Sequence, residues 1–246
     1  MAIVLEDQSG NGNTLTNNGA VEVSSSLPFA QSTTAVDLES TESDYLYAAD
    51  SASLSFTGDF TIECWVKFET VPSVLGANVF LVAKDDASDR SFAMMVVTDD
   101  KLRLNFYDGA GNNTRINSDA AVATGTGTWM HLAAAVDVSV PSAAMYKDGS
   151  LIASTVALSA ATAVKNSATD VIIGALSNKT EGFFDGVMDE VRIFDDIRTG
   201  TEIGDNYNVE ISTGNNLQAY WPFETVGAPP ASAAFLGYKT LTGVGL

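Results

Sequence analysis

Phe183-Phe184-Asp185-Gly186-Val187-Met188-Asp189-Glu190-Val191-Arg192-Ile193-Phe194-Asp195-Asp196 is the stretch from which the rest of the chain is read. Apolar residues stand on both faces of an extended segment here, Val187, Val191 and Ile193 on one and Met188 and Phe194 on the other. That pattern predicts a central strand covered on both sides. Asp189 and Glu190 interrupt it, and a buried carboxylate survives only when paired, hydrogen-bonded or metal-bound. Asp185 and Asp189 share strand parity, whereas Glu190 falls beside Arg192 on the other face, which predicts a Glu190–Arg192 ion pair.

Outward from this strand the chain reads as β throughout. Phe60, Ile62, Cys64, Val66 and Phe68 alternate with Thr61, Glu63, Trp65 and Lys67, the period of a half-buried sheet. Short strands are expected at residues 1–5, 21–23, 35–38, 45–48, 78–83, 92–98, 102–107 and 171–174, and a longer apolar one at 129–138. Residues 143–153 read as a hairpin with Asp148-Gly149 at its tip. A proline at Pro222 places the strand 217–223 at an edge or end. One or two helical turns are expected between Thr199 and Asn208, with Thr199 as N-cap and Glu202 as its capping-box partner, and nothing else reads as helical. These elements predict a single all-β sandwich over residues 1–226, followed by a linker and apolar tail over 227–246 suited to docking.

Hydrophobic residues make up 46% of the 246 and charged residues 17%, enough apolar material for a sizeable core. The formal net charge of −19 repels phosphate backbones and anionic lipid, so nucleic acid and membrane insertion are poor readings. The single cysteine, Cys64, forms no internal disulfide, and the single histidine, His131, excludes multi-histidine metal centres and is read as a core or strand-edge residue. No Lys or Arg precedes Lys67, so the start of the chain lacks the charged region of a secretory signal. Trp65, Trp129 and Trp221 could stack on sugar rings, though packing is the plainer reading. The sequons at Asn112 and Asn178 read as chance matches.

The ordered set Asp7-Gln8-Ser9-Gly10-Asn11-Gly12-Asn13, Asp44-Tyr45-Leu46, residues 59–67, Thr128-Trp129-Met130-His131-Leu132-Ala133, Tyr146-Lys147-Asp148-Gly149, residues 184–193 and Ala219-Tyr220-Trp221-Pro222-Phe223 resembles the laminin-G-like jelly-roll domains of the concanavalin A-like lectin/glucanase superfamily. The resemblance implies a two-sheet antiparallel jelly roll with a non-catalytic role in binding glycans or proteins. It also implies one structural calcium (Ca2+), which on this sequence would fall to Asp7, Asn11, Asn13 and Asp189. The Asn-rich loop by itself reads as a turn before it reads as a cation site. Related glucanases carry a Glu-x-Asp-x-x-Glu strand, and residues 185–190 lack that spacing, so no catalytic residue is assigned.

Three functions follow from these readings. The first is a glycan- or protein-binding module on a virion or other extracellular surface, such as a phage tail, fibre or capsid-decorating protein, acting as a homo-oligomer or within a larger particle. The second is a carbohydrate-binding module of a secreted enzyme or adhesin. The third is a glucanase-like hydrolase.

Overall fold

Alternation decides which side chains enter the interior. In the computed structural model, which describes residues 5–156, 161–211, 214 and 216–224, fifteen strands form two antiparallel sheets. The strands are β1 (Thr16–Asn18), β2 (Val21–Val23), β3 (Ala35–Leu38), β4 (Tyr45–Ala48), β5 (Phe60–Phe68), β6 (Val79–Asp85), β7 (Arg90–Val96), β8 (Lys101–Tyr107), β9 (Asn113–Ala121), β10 (Trp129–Asp137), β11 (Ser142–Lys147), β12 (Ser150–Val156), β13 (Val171–Ile173), β14 (Gly186–Phe194) and β15 (Leu217–Trp221). One sheet runs β1-β4-β13-β6-β7-β8-β9 and the other β12-β11-β10-β5-β14-β3-β2, with β15 also paired to β14. The expected all-β, two-sheet jelly roll is what the chain forms.

Phe60, Ile62, Cys64, Val66 and Phe68 of β5 meet Phe92, Met94, Val96, Leu102, Leu104 and Phe106 of the opposite sheet in one continuous core. Burial of this apolar surface is the dominant stabilising term. Phe56 stacks on Phe92 with ring centroids 5.4 Å apart, and Phe60 meets Phe106 edge-on at 6.2 Å. Cys64 is fully buried in this core, and burial drives its thiol pKa upward. The Asp148-Gly149 hairpin has φ of 49° and 72° at its two tip residues, as a turn with both central residues left-handed requires.

Two helices are present among the described residues. The expected one, α2 (Gly200–Asn206), begins at a complete capping box: Glu202 N–H donates to Thr199 Oγ1 at 3.2 Å and Thr199 N–H to Glu202 Oε2 at 2.8 Å. The other, α1 (Pro72–Leu75), is a correction to the reading; it is a single turn opened by Pro72 and closed by left-handed Gly76. Neither is long and apolar enough to cross a membrane. β1 and β9 are further corrections, strands where none was expected. β15 is shorter than the strand expected at 217–223: it stops at Trp221, immediately before Pro222, so the proline falls at its end. Except for Leu5, the strand expected at 1–5 lies outside the described residues, as do 225–226 of the sandwich region and all of 227–246.

The parity expected for residues 183–196 is also corrected. Met188 joins Val191 and Ile193 in the core, while Val187 and Phe194 lie outside it. The cause is a β-bulge: Asp189 pairs with Trp65 and Arg192 with Glu63, so Glu190 and Val191 together face Cys64. Glu190 takes φ 51°, a left-handed conformation that is uncommon for a residue with a side chain.

Candidate functional site

β14 changes neighbours at its bulge. Gly186–Met188 pair with β3, whereas Val191–Phe194 pair with β15 along the same edge, so β3 and β15 meet end to end at residues 189–190. Polar groups fill that seam. Ser32 Oγ donates to Asp189 Oδ2 at 2.6 Å and Glu190 N–H to Asp189 Oδ1 at 2.8 Å. Thr33 donates to Glu224 through its N–H at 2.9 Å and through its hydroxyl. Carboxylate oxygens of Asp189, Glu190 and Glu224 all lie within 4.8 Å of one another.

This set is short of positive charge. Burial first, then repulsion from Glu190, drives the Asp189 pKa well up. Burial pushes Glu190 up to about 7, with Arg192 and Tyr220 pulling it back. Glu224 is raised by burial, and Glu210 by burial and by Glu224. Asp189 and Glu190 are 0% and 1% exposed. Groups held this way favour a proton or a cation.

Arg192 lies behind the seam, on the outer side of β14. It bonds Glu190, Glu63 Oε1 at 3.1 Å, and the Asn206 and Val209 carbonyls at 2.9 and 2.6 Å. The expected Glu190–Arg192 pair is therefore present, extended by Glu63. Tyr220 donates its hydroxyl to Glu190 at 2.9 Å and lies beneath the guanidinium, 5.3 Å from its ring centroid. Burial would raise Glu63, but His131 Nε2 at 3.6 Å and Arg192 hold it down to about 2. His131 is a buried residue between the Trp65 and Tyr207 rings, at 5.7 and 5.8 Å.

The structure gathers Asp7, Asn11 and Asn13 but gives Asp189 other partners. Asp7 Oδ1 accepts from Ser9 N at 2.9 Å and Tyr220 N at 3.0 Å; Oδ2 accepts from Ser9 Oγ, Asn13 N and Asn13 Nδ2 at 2.8, 2.9 and 3.1 Å. Asn11 and Asn13 both donate to the Gln218 carbonyl, at 3.0 and 2.9 Å. Asp7 thus accepts five bonds on about four lone-pair positions. The loop clasps β15 and offers a cation little, whereas the Asp189 set has hard oxygen ligands and too little positive charge. Glu224 was missed by the sequence reading, because its approach to Asp189 depends on β15 running back to the start of β3.

Of the three tryptophans, Trp221 and Trp65 are buried, Trp65 donating to the Tyr207 carbonyl at 2.6 Å. Trp129 is half-buried, with Lys67 Nζ 5.2 Å from its ring centroid, and borders a cleft of about 220 Å³ lined also by Thr124, Thr128, Lys147 and Asp148.

Comparison with known proteins gives one family and a set of similar folds. The family model described as the Concanavalin A-like lectin/glucanases superfamily matches residues 40–204. The binding domain of botulinum neurotoxin serotype G superposes with a TM-score of 0.65 and 15% identity over 83% of this chain and 49% of that one. The binding domain of Paraclostridial Mosquitocidal Protein 1 gives 0.61 and 17% over 82% and 49%. Domain 4 of an extracellular arabinanase from Geobacillus stearothermophilus, solved in complex with arabinotriose, gives 0.58 and 19% over 83% and 93%. The chain thus spans about half the length of the first two binding domains. No curated protein matches it.

Proposed function

The chain belongs to the concanavalin A-like lectin/glucanase superfamily, and from that premise we propose that it is a non-catalytic binding module, with glycans as its first class of ligand, working at an extracellular surface. The observation that carries the non-catalytic part is the state of Asp189 and Glu190. A glycosidase needs two carboxylates facing a sugar across an open cleft. These two are buried and engaged by Ser32, Arg192 and Tyr220. The binding part is supported by similar folds that their descriptions call binding domains or show with arabinotriose.

Calcium, which the family resemblance implies, belongs in this proposal to the seam. Asp189, Glu190 and Glu224 would hold the ion, and Asp189 is its ligand in place of the Asp7 loop as a whole. The ion would supply the positive charge those carboxylates lack and tie β3 to β15. Placement on a virion or other assembled particle is the narrower form of the same proposal.

A glycan array with the purified chain, with and without 2,4-dinitrophenyl-glycoside and β-glucan turnover assays, tests the function. Retention of one glycan class without turnover is expected; turnover lost in Glu190→Gln would overturn the non-catalytic reading. Thermal melting in calcium is expected to raise the midpoint of the wild type and not of Asp189→Asn. An equal rise in both removes the seam as the calcium site. Immunogold labelling of particles tests the virion placement.

A further inference from the structure

The β7–β9 part of the outward face of the seven-stranded sheet gathers cations on a chain that is acidic overall. Along β8 the sequence Lys101-Leu102-Arg103-Leu104-Asn105-Phe106-Tyr107 sends Leu102, Leu104 and Phe106 into the core, so Lys101, Arg103, Asn105 and Tyr107 face out. Cross-strand pairing sets Asn105 between Ala93 and Arg115, Arg103 between Met95 and Asn117, and Tyr107 beside Asn113. Directly opposed residues share a face. The surface over β7–β9 therefore presents three cations and three amides above a floor of Ala93 and Met95. Arg90 lies at one end, its guanidinium 5.1 Å from the Tyr107 ring centroid and bonded to Tyr107 Oη at 2.9 Å.

These cations are not spent on ion pairs, although Arg103 Nε does donate to Asn117 Oδ1 at 2.7 Å. The chain has 31 acidic residues against 12 Lys and Arg, yet Lys101, Arg103 and Arg115 make no ion pair among the described residues. Burial, and then the neighbouring Arg115, depress the Arg103 guanidinium, with Asp99 opposing. Exposed Asp119, in β9, also lies near this edge, and Arg90 at the end of the row is paired with Asp85 at 3.4 Å. At the centre of the row Asn105 is 6% exposed, and its Oδ1 is buried without a hydrogen-bond partner. A fully internal packing position would satisfy that atom.

We propose that this face binds an acidic polysaccharide, with Arg103 and Arg115 holding its carboxylate or sulfate groups and Asn105 a hydroxyl. The inference rests on the binding-module reading and names its ligand class and face. Guanidinium forks match planar oxyanions, and amides both donate to and accept from sugar hydroxyls. Outward positions recur about every 7 Å along a strand, a repeat that suits a linear polymer. Duplex DNA carries a charge about every 1.7 Å along a wide double helix, a spacing that three cations set about 7 Å apart do not match.

The test is calorimetric titration of the full chain with polygalacturonate (the carboxylate arm), heparin (the sulfate arm), neutral dextran and duplex DNA. Binding to at least one acidic polysaccharide is expected, weakened about tenfold or more in Arg103→Gln/Arg115→Gln and several-fold between 50 and 200 mM NaCl. Lys67→Gln/Lys147→Gln, at the Trp129 cleft, should leave it unchanged. If the double variant does not fold, the single substitution of exposed Arg115 carries the test, with a several-fold loss expected. Glycan binding lost only in the cleft variant, or equal and salt-independent binding of dextran, overturns this inference and leaves the binding module standing. DNA binding as tight as heparin also overturns it. Failure of every glycan, neutral ones included, removes both.

Discussion

Replacing Arg192 with methionine, which keeps most of the side chain's bulk, isolates what its charge does. Arg192, Glu63 and Glu190 are each at most 2% exposed, so the substitution leaves two carboxylates inside the protein without their cation. Removing one member of a buried ion pair costs about 3–5 kcal/mol. The carbonyls of Asn206 and Val209 lose their donor as well, at about 1–3 kcal/mol each. Because these groups share one network the costs do not add fully, and a loss on the order of 5 kcal/mol at pH 7.5 is expected. The pH dependence separates charge from packing. Glu190, already raised by burial to about 7, is pushed higher when arginine no longer pulls it back, while Glu63 keeps His131; the folded variant therefore holds more protons than the unfolded chain between pH 5 and 7.5. Its stability should therefore recover as pH falls toward 5. Urea unfolding at pH 5 and 7.5 measures both quantities. A loss under about 1 kcal/mol, or the same loss at both pH values, would refute the reasoning.

Two further outcomes follow from the same structure. Glu63, held at about 2, contributes stability that is lost as pH falls from 4.5 toward 2, whereas Glu190, raised to about 7, weakens the fold as pH rises from 4.5 toward 7. Each shift is worth on the order of 3 kcal/mol, Asp189 and Glu224 act in the same sense as Glu190, and thermal midpoints from pH 3 to 9 should peak near pH 5 rather than at 7 or above. Gly186→Ala should cost about 3 kcal/mol or more in chemical denaturation, because its φ is 141° and an added Cβ would lie 2.2 Å from the Lys67 carbonyl oxygen; a cost near zero would show that the backbone gives way there.

Alternation made most of this fold legible. Phe60–Phe68 and Lys101–Tyr107 carry it cleanly because each has one face in a single core. β9 escaped notice because it is an edge strand whose core-facing positions include Thr114 and Ser118 beside Ile116, so its hydrophobic signal is thin. α1 is one turn long, too short to show a helical period. In β14 the two acids were recognised as exceptional, but a bulge adds a residue without leaving a mark on composition, so the facing of Val187, Met188 and Phe194 came out wrong. The capping box at Thr199 and the Glu190–Arg192 pair were readable because both depend on residues two or three apart. Glu63 joins the site from the neighbouring strand β5 and Glu224 from the segment after β15, and no local pattern announces them.

The clasp between the Asn-rich loop and β15 also governs when the protein can finish folding. Asp7 bonds Tyr220 across 213 positions, and the Trp221 indole donates to the Asn13 carbonyl across 208. On a ribosome adding about 5–20 residues per second, Asp7 waits on the order of 10–40 s for its partner. Until then the β14 edge that takes up β15 is bare, and an unpaired edge recruits other strands. Closure is therefore a late, long-range event with a large loop entropy to overcome, and crowded nascent chains are most exposed to mispairing just before it.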